Sequence, residues 1–189
     1  VLVTLCAFIF SLQSTRQRQA LEHLAIHDPL TQALNRRAFD IDLATTLQTH
    51  QLSLSPCTLA IIDLDHFKSV NDTFGHEVGD ELLIEMVRTV RIHLRKQDRL
   101  YRFGGEEFVA VLPGADAQEA LRIAEAVRAR IEQSPIASCG HSIRLSASIG
   151  VHSVAGGQQA TPEDVIRIAD EALYRAKDDG RNCVRHSVS

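Results

Sequence analysis

Lysine is scarce in this sequence, since Lys68, Lys96 and Lys177 are the only lysines among its 20 basic residues. The 189-residue chain has a formal net charge of −4 and therefore lacks the basic surface that a DNA or RNA partner requires. This excludes a polymeric nucleic-acid partner, although the chain could still bind a single nucleotide. Hydrophobic residues make up 44% and charged residues 23%, which is typical of a globular protein and excludes a disordered or collagenous chain.

Cysteine is also sparse, and the four residues are widely spaced: Cys6, Cys57, Cys139 and Cys183. No C-x-x-C pair occurs, which argues against a zinc site or a thioredoxin-like redox motif. We predict reduced, mostly buried thiols in a cytosolic protein. The motifs of P-loop enzymes, of dinucleotide-binding folds and of covalent serine or cysteine nucleophiles are missing as well, so these classes are excluded at the motif level.

The chain begins with an uncharged run, VLVTLCAFIFSL, at residues 1–12. Twelve helical residues cover about 18 Å, whereas a hydrocarbon core is about 30 Å thick. Arg16 and Arg18 follow, and positive charge beside an apolar run marks the cytoplasmic side. We interpret residues 1–26 as the inner end of a truncated transmembrane helix plus a linker helix, and residues 27–189 as one domain. A buried helix is an alternative, whereas a signal peptide is disfavoured because no cleavage site follows.

Hydrophobic periodicity gives a coarse map of the domain. It predicts helices at 30–48, 80–96, 116–133 and 161–178, and strands at 58–63, 99–103, 107–112, 143–151 and 182–186. Gly104 and Gly105 mark a hairpin turn between two of the strands. This order predicts an α+β fold with a ferredoxin-like β-α-β-β-α-β core and a mainly antiparallel central sheet flanked by helices.

An acidic cluster follows from this topology. The first core strand lies antiparallel to the third, which brings Asp63 at the end of one beside Glu106 and Glu107 at the start of the other. Taken singly, Asp65 reads as a turn cap and Glu107 as a solvated hairpin acid. Carboxylates held together repel one another and favour a cation, and hard oxygen ligands suit Mg²⁺ with phosphate oxygens. Two such metals could activate a hydroxyl and stabilise a leaving pyrophosphate.

The segment after this strand has the features of a nucleotide site. We predict that residues 67–72 form a loop leading into a helix, where free N–H groups meet phosphate and Lys68 adds a positive charge. Asp80 can accept hydrogen bonds from N1–H and N2–H of guanine, and Asn71 can donate to O6 or N7 or accept from N2–H. Taken alone, Asn71 and Asp72 would be an ordinary Asx turn.

Several motifs in the same order resemble the GGDEF-domain diguanylate cyclases. They are residues 28–31 (DPLT), 63–72 (DLDHFKSVND), 102–108 (RFGGEEF) and 169–182 (ADEALYRAKDDGRN). The resemblance covers about residues 27–186, and Glu106 makes this chain a GGEEF variant. It implies a nucleotide-cyclase-like fold and condensation of two GTP into cyclic di-GMP with release of two pyrophosphates. It also implies a homodimer in the active state and a location at the cytoplasmic face of a bacterial inner membrane.

The resemblance also implies roles for individual residues. Asp63, the Leu64 carbonyl and Glu106 would hold Mg²⁺, with Mn²⁺ as an alternative, and Glu107 would join the metals or deprotonate the attacking hydroxyl. Asp63, Glu106 and Glu107 thus form the expected catalytic set. The expected GTP-binding set is Phe67, Lys68, Asn71, Asp80, Gly105, Lys177 and Arg181.

A product-binding site is a further implication. Arg95 and Asp98 stand at the offset of the family's R-x-x-D inhibitory site, where arginine binds phosphate or stacks on guanine. Some members add a second arginine from the next helix, but the corresponding position here is Ala126, with Arg122 one turn away. The alternative is an ordinary ion pair at a solvated helix end.

Two other functions stay open at this point. One is a catalytically silent regulatory module that binds cyclic di-GMP or GTP, which the intact Glu106 and Glu107 disfavour. The other is a different nucleotidyl transfer on the same core, such as a mononucleotide cyclase or a polymerase palm. The acidic chain, without a basic channel for a template, disfavours a polymerase.

Overall fold

A computed structural model describes residues 26–138 and 141–187 of the chain. The transmembrane and linker helix interpreted at residues 1–26 lies outside these residues except for Ile26, and so do Cys6 and Cys139, for which burial was predicted. Within the described ranges, no helix is long and apolar enough to cross a membrane.

The centre of the fold is a six-stranded sheet. Its strands are β1 (Leu34–Asn35), β2 (Cys57–Leu64), β3 (Arg99–Gly104), β4 (Glu107–Pro113), β7 (Ala147–Val154) and β8 (Val184–His186). Their spatial order is β1-β3-β4-β2-β7-β8. The four central strands are antiparallel, whereas β1 and β8 at the edges run parallel to their neighbours. Strands β5 (Ile136–Ser138) and β6 (His141–Ile143) form a separate hairpin.

Helices cover both faces of this sheet. They are α1 (Arg36–Ser53), α2 (Phe67–Phe74), α3 (His76–His93), α4 (Ala117–Gln133) and α5 (Pro162–Asp178). Helices α1 and α5 share one hydrophobic cluster with the sheet, and α3 and α4 share another on the opposite face. Because both faces of β2 are covered, all of its residues are buried, and the polar ends of the central strands become the place where side chains meet solvent.

The α+β fold with a mainly antiparallel sheet confirms the prediction. The start of α5 is also as predicted, because the Thr161 hydroxyl accepts a hydrogen bond from the Asp164 amide and Pro162 occupies the first turn. Asp116 caps α4 in the same way by accepting from the Glu119 amide. The glycine hairpin is present between β3 and β4.

Several predicted boundaries were wrong. The helix predicted at 30–48 begins at Arg36, because the Asp28 carboxylate accepts hydrogen bonds from Thr31 and holds the preceding residues in a turn, and Asn35 caps the helix. The helix predicted at 80–96 spans His76–His93, since the backbone is extended at Leu94. The strand predicted at 143–151 is divided between β6 and β7. Residues 67–72, predicted as a loop, belong to α2.

Candidate active site

Asp63 and Glu107 lie directly opposite each other on the adjacent strands β2 and β4. Side chains at facing positions of an antiparallel pair project from the same face of the sheet. Glu106 lies one residue before Glu107, in the hairpin turn that it forms with Gly105. The topology-based prediction that these three acids converge on one edge is confirmed.

A lysine from the last long helix reaches this edge. Lys177 Nζ on α5 lies 2.9 Å from Asp63 Oδ2. Burial raises the pKa of Asp63 above its ordinary value, Lys177 opposes that increase, and the negative charges of Glu106 and Asp65 add to it. Burial likewise raises the pKa of Glu107, and the neighbouring charge of Asp63 adds to the increase. The edge therefore favours positive charge near its carboxylates.

The donor set at this edge fits a hard cation only in part. Across residues 26–138 and 141–187, no three His, Cys, Asp or Glu side chains are grouped closely enough to hold a metal ion. Asp63 and Glu106 are nevertheless within electrostatic range of each other, and Leu64 supplies a carbonyl at the strand end. Mg²⁺ usually binds through one or two carboxylates and takes its remaining ligands from phosphates and water, so this partial set is compatible with it.

Asp65 has a structural role, although its partners lie in distant segments of the chain and not in a local turn that it would cap. It is 5% exposed, and its carboxylate accepts hydrogen bonds from the hydroxyls of Ser146 (2.7 Å) and Ser148 (2.6 Å) and from the Asn182 amide (3.0 Å). Three donors satisfy this carboxylate within the fold, so we assign it no part in binding a cation.

The start of α2 brings Phe67 and Lys68 next to the acidic edge. The Phe67 side chain is buried in the core, so any contact of this residue with a nucleotide is restricted to its backbone. Lys68 is exposed, and no ion pair joins it to another residue in the described part of the chain. Its ammonium group is therefore available to an anionic ligand.

Asn71 and Gly79 form a close contact between α2 and α3. A Cβ atom at Gly79 would lie 1.9 Å from Asn71 Oδ1, so glycine is required for the amide to keep its place. Asn71 Oδ1 is buried and accepts no hydrogen bond from the described residues. Because buried polar atoms are nearly always paired, this oxygen marks a place for a ligand donor, with the exposed Asp80 next along α3.

Two loops complete the surroundings of the acidic edge. Gly105 adopts φ +50°, and its carbonyl accepts hydrogen bonds from Nε (3.0 Å) and Nη2 (2.9 Å) of Arg102. Arg181 follows α5 with φ +66°, and its exposed side chain forms no hydrogen bond or ion pair within the described ranges. Sequence reasoning placed Arg102 and Asn182 within motifs but gave neither a role, because the bonds of Arg102 to Asp28 and of Asn182 to Asp65 join segments that are distant in sequence.

Arg95 and Asp98 lie apart from this edge, in the turn before β3 and at the strand end opposite Gly105. Arg95 forms a bidentate ion pair with Asp98, whose side chain is fully buried, and a second ion pair with Glu119 on α4. Arg95 Nη2 also donates to the Pro113 carbonyl. Most of the guanidinium donors are thus engaged within the fold.

Comparison with protein families gives a match over most of the chain. Residues 25–183 match the family described as "Diguanylate cyclase, GGDEF domain". The chain belongs to the GGDEF family. It is 40% identical over 172 residues to the response regulator PleD of Caulobacter vibrioides, covering 88% of this chain and 38% of PleD. It is 38% identical over 172 residues to the diguanylate cyclase DgcM of Escherichia coli, covering 91% of this chain and 41% of DgcM.

The fold agrees with a solved GGDEF structure. The coiled coil and GGDEF domain of DgcB from Caulobacter crescentus, solved with cyclic di-GMP, superposes with a TM-score of 0.88 at 26% identity and 97% coverage of both chains. The chain spans about two fifths of the length of the curated relatives, so the similarity to PleD and DgcM concerns their GGDEF portion.

Proposed function

We propose that this GGDEF domain is a diguanylate cyclase that condenses two GTP molecules into one cyclic di-GMP and two pyrophosphates. The observation that carries the proposal is the convergence of Asp63, Glu106 and Glu107 on one sheet edge, with Lys177 2.9 Å from Asp63. Phosphoryl transfer requires positioning and charge neutralisation more than a covalent nucleophile, and this edge supplies acids and a cation together.

The residues divide into two groups around one bound GTP. Asn71 and Asp80 bind guanine, for which the buried, unpaired Oδ1 of Asn71 provides an acceptor. The positive charges of Lys68, Lys177 and Arg181 neutralise the triphosphate. The backbone approaches the triphosphate closely at the Phe67 amide and at Gly105, which has no side chain to obstruct it.

The acidic edge carries the chemistry. Asp63, the Leu64 carbonyl and Glu106 would hold Mg²⁺, and the ion when bound would supply polarisation of the α-phosphate and charge stabilisation of the leaving pyrophosphate. Glu107 accepts the proton of the ribose 3′-hydroxyl of one GTP, whose oxygen attacks the α-phosphate of the second GTP and displaces pyrophosphate. The reciprocal attack closes the ring and displaces the second pyrophosphate. Because each domain binds one GTP and the reaction joins two GTP molecules, two domains face each other in the active state.

Regulation by the product is a finer part of the proposal. Cyclic di-GMP binds at Arg95 and Asp98, in a groove that Arg91, Lys96 and Arg99 also line. Binding would exchange the contacts of Arg95 with Glu119 and Pro113 for contacts with phosphate or guanine. With Ala126 in place of a second arginine, we expect weak inhibition.

The test is the conversion of GTP with Mg²⁺, followed by chromatography of the products. Glu106→Ala is expected to abolish cyclic di-GMP formation while the circular dichroism spectrum and Tm stay near those of the unchanged chain. Glu171→Ala, an exposed acid on α5, is the matched control. Near-normal turnover by Glu106→Ala would reject its place at the metal, and binding of GTP without turnover by the unchanged chain would favour a silent regulatory module.

A further inference from the structure

The turn that presents Arg181 has an unusual backbone. Gly180, Arg181 and Asn182 adopt φ values of +103°, +66° and +48°, so three consecutive residues lie in the left-handed region. Residues other than glycine rarely adopt this region, because their Cβ atom would lie too close to the following carbonyl oxygen. Strained backbone of this kind persists where surrounding contacts hold it.

Asn182 supplies those contacts with three separate groups. Its amide N–H donates to Asp65 Oδ2 at 3.0 Å, its Oδ1 accepts from Arg128 Nη1 at 2.7 Å, and its Nδ2 donates to Glu132 Oε1 at 2.7 Å. One residue therefore joins the turn to the end of β2 and to helix α4.

Both anchors of Asn182 are themselves fixed. Asp65 is buried and bound by two serine hydroxyls beside β7. Arg128, whose side chain is 13% exposed, also pairs with Glu125 and Glu132 on its own helix. Neither anchor forms a hydrogen bond or ion pair with Lys177 or Asp63 in the described part of the chain, so their effect on Arg181 passes through the turn.

We propose that Asn182 is a positioning residue that, through Asp65 and Arg128, holds the Arg181 guanidinium at the triphosphate of bound nucleotide. The inference rests on the proposed function, because it assumes that Arg181 meets a nucleoside triphosphate. It adds a hydrogen-bonded path from α4 to the nucleotide site, and it gives Asp65 a role distinct from that of the neighbouring Asp63.

The test measures binding of α,β-methylene GTP, which cannot release pyrophosphate, by titration calorimetry with Mg²⁺ present. Arg181→Ala is expected to raise the Kd about tenfold or more, in line with the loss of a hydrogen bond to a charged group. Asn182→Gly removes the side-chain anchors yet tolerates the left-handed backbone, and we expect the Kd to rise about fivefold on the same scale.

Non-additivity separates positioning from general stability. In the Arg181→Ala background, Asn182→Gly is expected to raise the Kd less than about twofold further, because the group that it positions is already gone. Arg128→Gln, on another element, is expected to behave in the same way with a smaller effect. Leu54→Gly is the matched control, since Leu54 is exposed and has φ +55°. It precedes the first residue of β2, whereas Asp63 lies at the other end of that strand.

The outcomes test the role of Asn182 and the proposed cyclase activity separately. A Kd unchanged by Asn182→Gly, a Kd unchanged by Arg181→Ala, or equal effects of Asn182→Gly in both backgrounds would overturn the inference. Cyclic di-GMP formation is measured separately. The predicted Kd pattern without any cyclic di-GMP from GTP would leave the inference standing and refute the proposed function.

Discussion

Lys177 Nζ on α5 lies 2.9 Å from Asp63 Oδ2 on β2, so the last long helix contributes a cation to the end of the central strand. Helix α5 can approach this closely because β7 carries Gly150 beneath it. A Cβ atom there would lie 2.3 Å from the backbone of Ala169 and Leu173. The close packing of α5 on the sheet thus places Lys177 beside the acids.

Replacing Lys177 by methionine keeps the aliphatic stem and removes the charge. We expect kcat/KM for GTP to fall about 10- to 100-fold, since a hydrogen bond between charged groups contributes about 1.5–3 kcal/mol. The pKa of Asp63 is expected to rise further, because Lys177 now lowers it. Steady-state assays check the first point, and Arg167→Met on the exposed face of α5 is the control. Equal losses in the two variants would contradict a specific role for Lys177.

Glu107 is expected to reduce stability at neutral pH. Burial, together with the charge of Asp63, raises its pKa in the folded state above the ordinary value of 4.5. The folded state therefore keeps the proton better than the unfolded state, and the free energy of unfolding falls as pH rises from 4.5 through the raised pKa. Glu107→Gln should be inactive yet more stable than the unchanged chain at pH 7, with the difference vanishing below pH 4.5.

Urea unfolding at a series of pH values measures this difference. Glu171→Gln, at an exposed site on the same side of the sheet, is the control variant. A Glu107→Gln protein that is less stable than the unchanged chain at pH 7 would show that the acid is not held at an energetic cost.

Gly79→Ala is expected to weaken binding of guanine. The new Cβ would meet Asn71 Oδ1 at 1.9 Å and force the amide away from its place. We expect the KM for GTP to rise about tenfold, which corresponds to one hydrogen bond of about 1.4 kcal/mol. In an Asn71→Ala background, the same change should have little further effect on KM. Additive increases would indicate that Gly79 acts on the nucleotide site by another route.

Arg95→Lys tests product inhibition while it keeps a positive charge beside the buried Asp98. Lysine lacks the fork that binds phosphate or guanine through two parallel donors. The cyclic di-GMP concentration that halves GTP turnover is expected to rise about tenfold or more, as for the loss of about 1.4 kcal/mol. Glu119→Gln, which removes an ion-pair partner of Arg95 on α4, should instead leave inhibition in place or strengthen it. Identical inhibition of Arg95→Lys and the unchanged chain would reject the site.

Much of the fold could be predicted because its signals are local. Thr161 and Pro162 begin a helix through contacts within one turn, and Gly104 and Gly105 are a local signal of a hairpin turn between two strands. The juxtaposition of Asp63 and Glu107 followed from the antiparallel order of the strands. Helix α2 was not predicted, because the segment 67–74 is short and mostly polar. Its one buried side chain, Phe67, depends on packing against the rest of the core.

The remaining parts of the site depend on contacts between distant segments. Periodicity does not reveal that Asp65 binds the amide of Asn182, which is 117 residues away. The same holds for the contact between Lys177 and Asp63. Sequence motifs indicated which residues matter, whereas the structure separates Asp65, which is satisfied within the fold, from Asp63, which faces the edge.

The most direct test of the account is the rate of cyclic di-GMP formation from GTP and Mg²⁺ as a function of chain concentration. It would be measured with and without a dimerising leucine zipper fused ahead of residue 1. We predict that the rate per chain rises with concentration for the unfused protein and is high and independent of concentration for the zipper fusion. A folded, dimeric fusion that binds GTP and forms no cyclic di-GMP would contradict the proposed function.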